Sequence, residues 1–101
     1  MTPPAHGRST ALDLSREEAW IAHVALLRAA EKAVDDGAES PAELGLVRRI
    51  EDGTPFDEEG LTLLREALVS YLIDAPQRDR APGRAALRSV DAALDAPPRS
   101  A

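Results

Sequence analysis

The residues of this chain best suited to do chemistry are Trp20 and His23, which lie one helical turn apart in the segment EEAWIAHVALL. An imidazole with a tuned environment can act as a metal ligand or a general base. A helical wheel, however, places both rings on one apolar arc, which comprises Trp20, Val24, Leu27, Ala30 and Val34, with His23 inside it. The pattern therefore predicts that both rings point into the protein interior. There His23 would be a core or core-edge residue that hydrogen-bonds a neighbour such as Tyr71 or Glu31.

Catalysis or metal binding through His23 needs partner residues that the sequence does not supply. No Glu-x-x-His or His-Glu-x-x-His motif occurs, the other histidine is His6 near the N-terminus, and there is no Cys. Gly-x-Ser-x-Gly is absent, and the loop EDGTPFDEEG is acidic where a phosphate cradle needs bare amides and Lys. We therefore expect no enzyme activity, no cofactor and no bound metal. A carboxylate pair for glycoside cleavage stays open, because nothing singles out one pair among 18 acidic residues.

The C-terminal segment carries a second candidate site, formed by Arg80, Arg84 and Arg88. Their spacing of four places them on one face of a helix. One interpretation is an anion-binding stripe for nucleic acid or an acidic protein. The other, which we favour, is a solvated face in which Arg88 pairs with Asp91. Three Arg side chains supply too few phosphate contacts for more than weak binding.

Composition predicts one small, all-α domain. Of the 101 residues 44% are hydrophobic, but Ala supplies 19 of them and only three residues are aromatic. Ala, Leu, Glu and Arg favour helices, and β-branched residues are scarce. A formal net charge of −6 argues against a general surface for nucleic acid or anionic membranes. No segment is long and apolar enough to span a bilayer, and the N-terminal residues lack the features of a secretory signal, so we expect a cytoplasmic protein.

Capping signals divide the chain into helices. Ser15 and Glu18 form a capping box for a first helix that ends at Asp36 before Gly37. The second helix is predicted from Ser40 as N-cap, Pro41 as first residue and Glu43 as capping-box partner, to Gly53. Its predicted buried stripe is Leu44, Val47 and Ile50, with Leu46 off the stripe.

The third helix is predicted to be central to the fold. It begins at Asp57, where Phe56 and Leu61 fit a hydrophobic staple. Apolar residues cover more than half of its circumference: Leu61, Leu64, Leu68, Tyr71 and Leu72 form one face, and Leu63, Val69 and Ile73 broaden it.

A fourth, weaker helix is predicted over residues 82 to 95, after the break that Pro76 and Pro82 make. Its apolar residues sit among Ala, so it should bury little and dock loosely or await a partner. The whole is a small antiparallel bundle of three core helices plus this weaker C-terminal helix. The domain is expected to span residues 13–95, between disordered tails at 1–12 and 96–101.

The segments LDLSREEAWIAHVALL and PFDEEGLTLLREAL resemble those of short uncharacterised helical proteins of halophilic archaea. Those proteins open a helix with Leu-Ser-x-Glu-Glu-x-Trp and carry a His soon after. The resemblance covers residues 12 to 73 and implies a cellular context but no activity. An excess of Arg over Lys, eleven to one, is in keeping with it.

Without a catalytic constellation, the sequence favours a small protein-interaction or regulatory module that binds another protein or dimerises. The alternative is a weak nucleic-acid- or anion-binding regulator that uses the Arg80, Arg84 and Arg88 face.

Overall fold

The computed structural model describes residues 12–95, which form four α-helices and the turns between them: α1 Arg16–Asp35, α2 Ala42–Asp52, α3 Glu58–Ile73 and α4 Gln77–Asp95. The predicted all-α fold is confirmed. The predicted tails, 1–12 and 96–101, lie outside the described residues except for Leu12, which is half-buried and packs against the core.

Helix α1 begins where the sequence predicts and ends one residue earlier than predicted, at Asp35, with Asp36 as its C-cap. Oγ of Ser15 accepts a hydrogen bond from the backbone N–H of Glu18 at 3.1 Å, and Oε1 of Glu18 accepts one from the N–H of Ser15 at 3.0 Å. This is the predicted capping box. At the other end Gly37 has a φ of 107°, a conformation that its lack of Cβ permits.

Helix α2 departs from its prediction in two ways. Its N-cap is Pro41, and no side chain caps the helix, so the predicted capping box between Ser40 and Glu43 was wrong. The buried residues are Leu46 and Val47, whereas Leu44 is 46% exposed. The stripe is rotated because α2 packs mainly against α1 and scarcely against α3. Its C-terminal prediction is confirmed, since Gly53 takes the left-handed conformation at φ 68°.

Helix α3 is central, as predicted. Oδ1 of Asp57 accepts a hydrogen bond from the N–H of Gly60 at 2.7 Å, which caps the helix. Phe56 and Leu61 are both buried, as a hydrophobic staple requires. Leu64 and Leu68 are fully enclosed at the centre of the core. The predicted broadening of the apolar face was wrong in part, because Val69 and Ile73 are exposed.

Helix α4 begins five residues earlier than predicted and contains Pro82 in its second turn. Pro82 cannot donate a hydrogen bond to the carbonyl of Arg78 and its ring crowds that carbonyl, yet the helix continues through it. The helix packs on both α1 and α3, and Ala86 and Val90 are completely buried. Gly83 permits this approach: a Cβ there would lie 2.6 Å from Cδ2 of Leu72. The expectation of loose docking was therefore wrong.

Contacts between the helices define an antiparallel arrangement along the chain. His23 in the first half of α1 meets Glu51 at the end of α2. Tyr71 near the end of α3 meets Asp79 near the start of α4, and Arg65 at the middle of α3 meets Asp91 near the end of α4. Helix α1 touches the other three helices, whereas α2 is the peripheral one. Among residues 12–95, no helix combines the length and the apolar character that crossing a membrane takes.

The buried face of α1 is not the arc that the helical wheel selected. Its enclosed residues are Ile21, Ala22, Ala25, Leu26 and Ala30. Of the predicted arc only Ala30 is buried, and Trp20 is 62% exposed. The reason is that the other helices cover only part of the surface of α1. Helices α3 and α4 pack over one side of α1, and the other side is left to α2, whose 11 residues span about 16 Å against about 30 Å for α1.

Candidate functional site

The uncovered side of α1 carries a row of large apolar side chains, which we call the α1 stripe: Trp20, Leu27 and Val34. Their exposed fractions are 62%, 38% and 51%. They are seven residues apart, so they lie along one face of the helix over about 21 Å. An apolar row at this spacing is the kind of seam along which a second helix packs.

Beside the C-terminal half of the α1 stripe lies an open groove between α1 and α2. Its volume is about 450 Å³. Its apolar wall consists of Leu27, Ala30 and Val34 from α1 and Leu44 from α2. The groove follows from the rotation of α2, because turning Leu46 and Val47 into the core leaves Leu44 at the edge.

The charged residues that line the groove are both acidic. Glu31 and Asp35, one turn apart on α1, form its polar border. Over residues 16–52, which include α1 and α2, nine carboxylates face five Lys and Arg side chains. Arg48, one turn after Leu44, is the cation that helical spacing places on the same side of α2. The lining of the groove is thus apolar, with an acidic border formed by Glu31 and Asp35.

The other half of the α1 stripe carries the Trp20 and His23 pair. The two rings stack with centroids 5.6 Å apart and planes 9° from parallel. Nε2 of His23 lies 3.1 Å from Oε2 of Glu51, so the partner of the imidazole is neither Tyr71 nor Glu31. The prediction of a core-edge, hydrogen-bonded His fits this position, but the prediction that Trp20 points into the core was wrong.

The imidazole offers little to a substrate in this arrangement. Nε2 is occupied by Glu51, and Nδ1 is buried without a hydrogen-bond partner. A ring that donates its Nε2–H to Glu51 leaves Nδ1 enclosed and without a hydrogen-bond partner among the described residues. Over the part of the chain that the structure describes, no group of three or more His, Asp or Glu side chains is placed to hold a metal ion.

A separate polar cluster links α1, α3 and α4 around Tyr71. The hydroxyl of Tyr71 donates a 2.6 Å hydrogen bond to Oδ2 of Asp79, and the guanidinium of Arg28 lies 5.2 Å from the ring centroid. The hydrogen bond to Asp79, burial, and the negative charge of Asp79 raise the pKa of Tyr71 above its usual value, while Arg28 and Arg78 oppose the rise. The cluster ties the start of α4 to the bundle, and we assign it a structural role.

Arg80, Arg84 and Arg88 lie on the outer face of α4, and all three are exposed. Within residues 12–95 none of them forms an ion pair, since the pairs found are His23–Glu51, Arg65–Asp91 and Arg78–Asp79. The expected pairing of Arg88 with Asp91 was wrong, because Asp91 accepts from Nε of Arg65 at 2.6 Å. The structure thus brings the three guanidinium groups together on one unpaired face.

The groove is the feature that sequence reasoning missed. The sequence did contain a signal for it: α1 has two overlapping apolar arcs. The other helices of a small bundle can cover only one of these arcs completely. Ile21, Ala22, Ala25 and Leu26 form the covered arc, and the α1 stripe belongs to the other.

Comparison with known proteins places the chain in a family without assigning it an activity. No curated protein and no solved structure matches it. A family model does match, over residues 12–91, which include α1, α2, α3 and most of α4. The chain therefore belongs to the family described as a family of unknown function, DUF7853.

Proposed function

We propose that this protein is a small interaction or regulatory module, without catalytic activity of its own, that binds another protein through the α1 stripe and the groove beside it. The observation that carries the proposal is the exposure of Trp20, Leu27 and Val34 at heptad spacing on a helix whose buried residues lie on a different arc. Trp is among the residues that most often dominate binding energy at interfaces.

The energetics support a role for these residues beyond stability. Burying a side chain such as Leu or Val stabilises a fold by about 1.5–3 kcal/mol, and the α1 stripe leaves much of that gain unused. A partner that covers the row would recover it. The imidazole of His23 fits a structural role better than a catalytic one, because its Nδ1 is buried and its Nε2 contacts the carboxylate of Glu51.

A matched pair of double variants tests the proposal. The first, Leu27→Ser with Val34→Ser, weakens the α1 stripe. The control, Val69→Ser with Ile73→Ser, removes two apolar side chains of comparable exposure from α3. Tagged proteins are used for affinity capture from a lysate of the source organism and for size-exclusion chromatography with light scattering.

We expect a captured partner or a self-associated species with the parent and the control, and its loss in the α1-stripe variant. Equal behaviour of the two variants would place the interaction elsewhere on the surface. A parent chain that captures nothing and stays a monomer up to millimolar concentration would remove the proposal. Circular dichroism of both variants checks that the fold is retained.

The cellular setting is part of the proposal. We propose a cytoplasmic location, the expectation drawn from the sequence. The acidic composition and the Arg-for-Lys bias support an origin in a salt-loving archaeon. Fractionation of source cells and detection with an antibody test the location.

A second candidate function uses Arg80, Arg84 and Arg88 to bind nucleic acid or another anion. Its support is that these guanidinium groups are exposed and unpaired within the described residues. It ranks second because three side chains over about 12 Å of helix contact too few phosphates for tight binding. Low-salt gel-shift titration tests it: binding that the triple Ala variant abolishes supports this function, and no binding by the parent ends it.

A further inference from the structure

The acidic side chains that border the groove indicate the charge of a partner that would bind there. We propose that the α1 stripe and the groove hold one amphipathic helix of a different protein, and that this helix carries Lys or Arg beside its apolar residues. The inference rests on the proposed interaction function and specifies the partner. The structural basis of this inference is that the apolar wall of the groove is bordered by the acidic side chains of Glu31 and Asp35.

The shape of the surface favours a helix as the occupant. Trp20, Leu27 and Val34 recur every seven residues over about 21 Å, a length that a helix of about 14 residues matches. A strand would place its side chains at a period of two, which does not match this row. The groove between Leu27, Val34 and Leu44 provides the recess into which apolar side chains of such a helix insert.

The charge of the surface favours a basic occupant. Glu31 and Asp35 would lie beside the residues that flank the apolar row of the bound helix, where opposite charges set partner choice. Arg48 on α2, and Arg28 and Lys32 one turn before Glu31 and Asp35 on α1, offset part of this charge. The two charged residues that line the groove itself are nevertheless both acidic. Lys or Arg on the partner would be attracted to this acidic border, and Glu or Asp would be repelled by it.

A second copy of this chain fits the surface less well. A two-fold pairing of grooves would set Glu31 and Asp35 against the same residues of the other copy, in a chain of net charge −6. The chain does own a basic amphipathic helix, α4, which carries Arg80, Arg84 and Arg88. Its apolar residues Ala86 and Val90 are already buried in the core, so α4 has no apolar face to offer another copy.

Synthetic helical peptides test the inference with the full chain. One peptide of about 18 residues carries Leu at heptad spacing flanked by Lys. A second carries Glu in place of each Lys, and a third keeps the Lys but replaces Leu by Ser. Because Trp20 is the single Trp and is exposed on the stripe, Trp-free peptides can be titrated by its fluorescence and by calorimetry.

We expect the Lys peptide to bind at least tenfold more tightly than either control at low salt. The ratio between the Lys and Glu peptides should fall towards one near 1 M salt, where charges are screened beyond about 3 Å.

Charge reversal on the protein provides the second arm. Glu31→Lys with Asp35→Lys should abolish the preference for the Lys peptide or reverse it. The control, Glu66→Lys with Asp74→Lys, makes the same change in net charge at exposed positions of α3 and its C-cap, and should keep the preference. Lys near the end of α1 favours the helix dipole, so the groove variant is expected to fold. Thermal melts check this.

The outcomes separate this inference from the function on which it rests. The proposal of a basic partner is overturned if the Lys and Glu peptides bind equally well, or if both charge variants lose the preference for the Lys peptide equally. The capture experiment tests the interaction function separately. Failure of all peptides also overturns it. If that failure is joined by self-association that Leu27→Ser abolishes, the occupant is a second copy.

Discussion

Nε2 of His23 lies 3.1 Å from Oε2 of Glu51, and this contact joins the first half of α1 to the last turn of α2. The Glu51 side chain is 56% exposed, so water competes for its carboxylate. Pairs of this kind contribute about 0–1 kcal/mol. On the other edge of the ring, Nδ1 is buried without a hydrogen-bond partner, which lowers the stability of the folded state.

His23→Leu is therefore expected to leave the free energy of unfolding unchanged or to raise it. The substitution removes an unsatisfied buried nitrogen and releases a carboxylate that is already in water. Urea unfolding followed by circular dichroism measures the change, with Glu51→Gln as the companion variant. A loss of more than about 2 kcal/mol in His23→Leu would show that the imidazole has an essential structural contact.

The two serines that precede α1 and α2 should respond differently to replacement by Ala. Ser15→Ala removes a capping hydrogen bond and should cost about 1 kcal/mol of stability. Ser40→Ala should change stability by less than about 0.5 kcal/mol, because Ser40 is exposed and α2 has no side-chain cap. Thermal or urea unfolding of both variants provides the comparison, and equal losses would contradict the cap assignment.

Tyr71 is the single Tyr, so its ionisation can be followed by absorbance without interference from another phenol. The hydrogen bond to Asp79, followed by burial, raises its pKa, so the folded protein should titrate above the pKa of about 10 seen for an exposed Tyr. A group with a raised folded pKa stabilises the fold below its unfolded pKa. That contribution is lost as pH rises through the folded value, so stability should fall above about pH 10.

Asp79→Asn is the control for that titration. It removes the charge and the strong acceptor that hold the phenol proton, so the midpoint should move down towards the value measured in urea. An unchanged midpoint in Asp79→Asn would contradict the assigned cause.

Val90→Ala tests whether α4 belongs to the core. Val90 is completely buried, so the lost methyl groups and the cavity should cost about 2 kcal/mol. Ala92→Ser, at an exposed position of the same helix, should change stability by less than about 0.5 kcal/mol. If Val90→Ala proved as silent as Ala92→Ser, α4 would be only loosely attached.

The sequence alone determined the helical class and most helix ends. The capping box of Ser15 and Glu18, the cap Asp57 and the glycines at positions 37 and 53 act through hydrogen bonds and backbone angles within a few residues, so local spacing predicts them. The basic face of α4 was also readable, because a spacing of four fixes it on any helix.

Only the tertiary structure decided which faces are covered. The arcs of α1 that contain Leu26 and Leu27 are both apolar in sequence, and the choice between them depends on the lengths and positions of α2, α3 and α4. The same holds for Pro82, which a helix tolerates here because packing of Gly83, Ala86 and Val90 against α1 and α3 outweighs one lost hydrogen bond. Burial is a property of contacts between distant segments, and helical periodicity alone does not contain it.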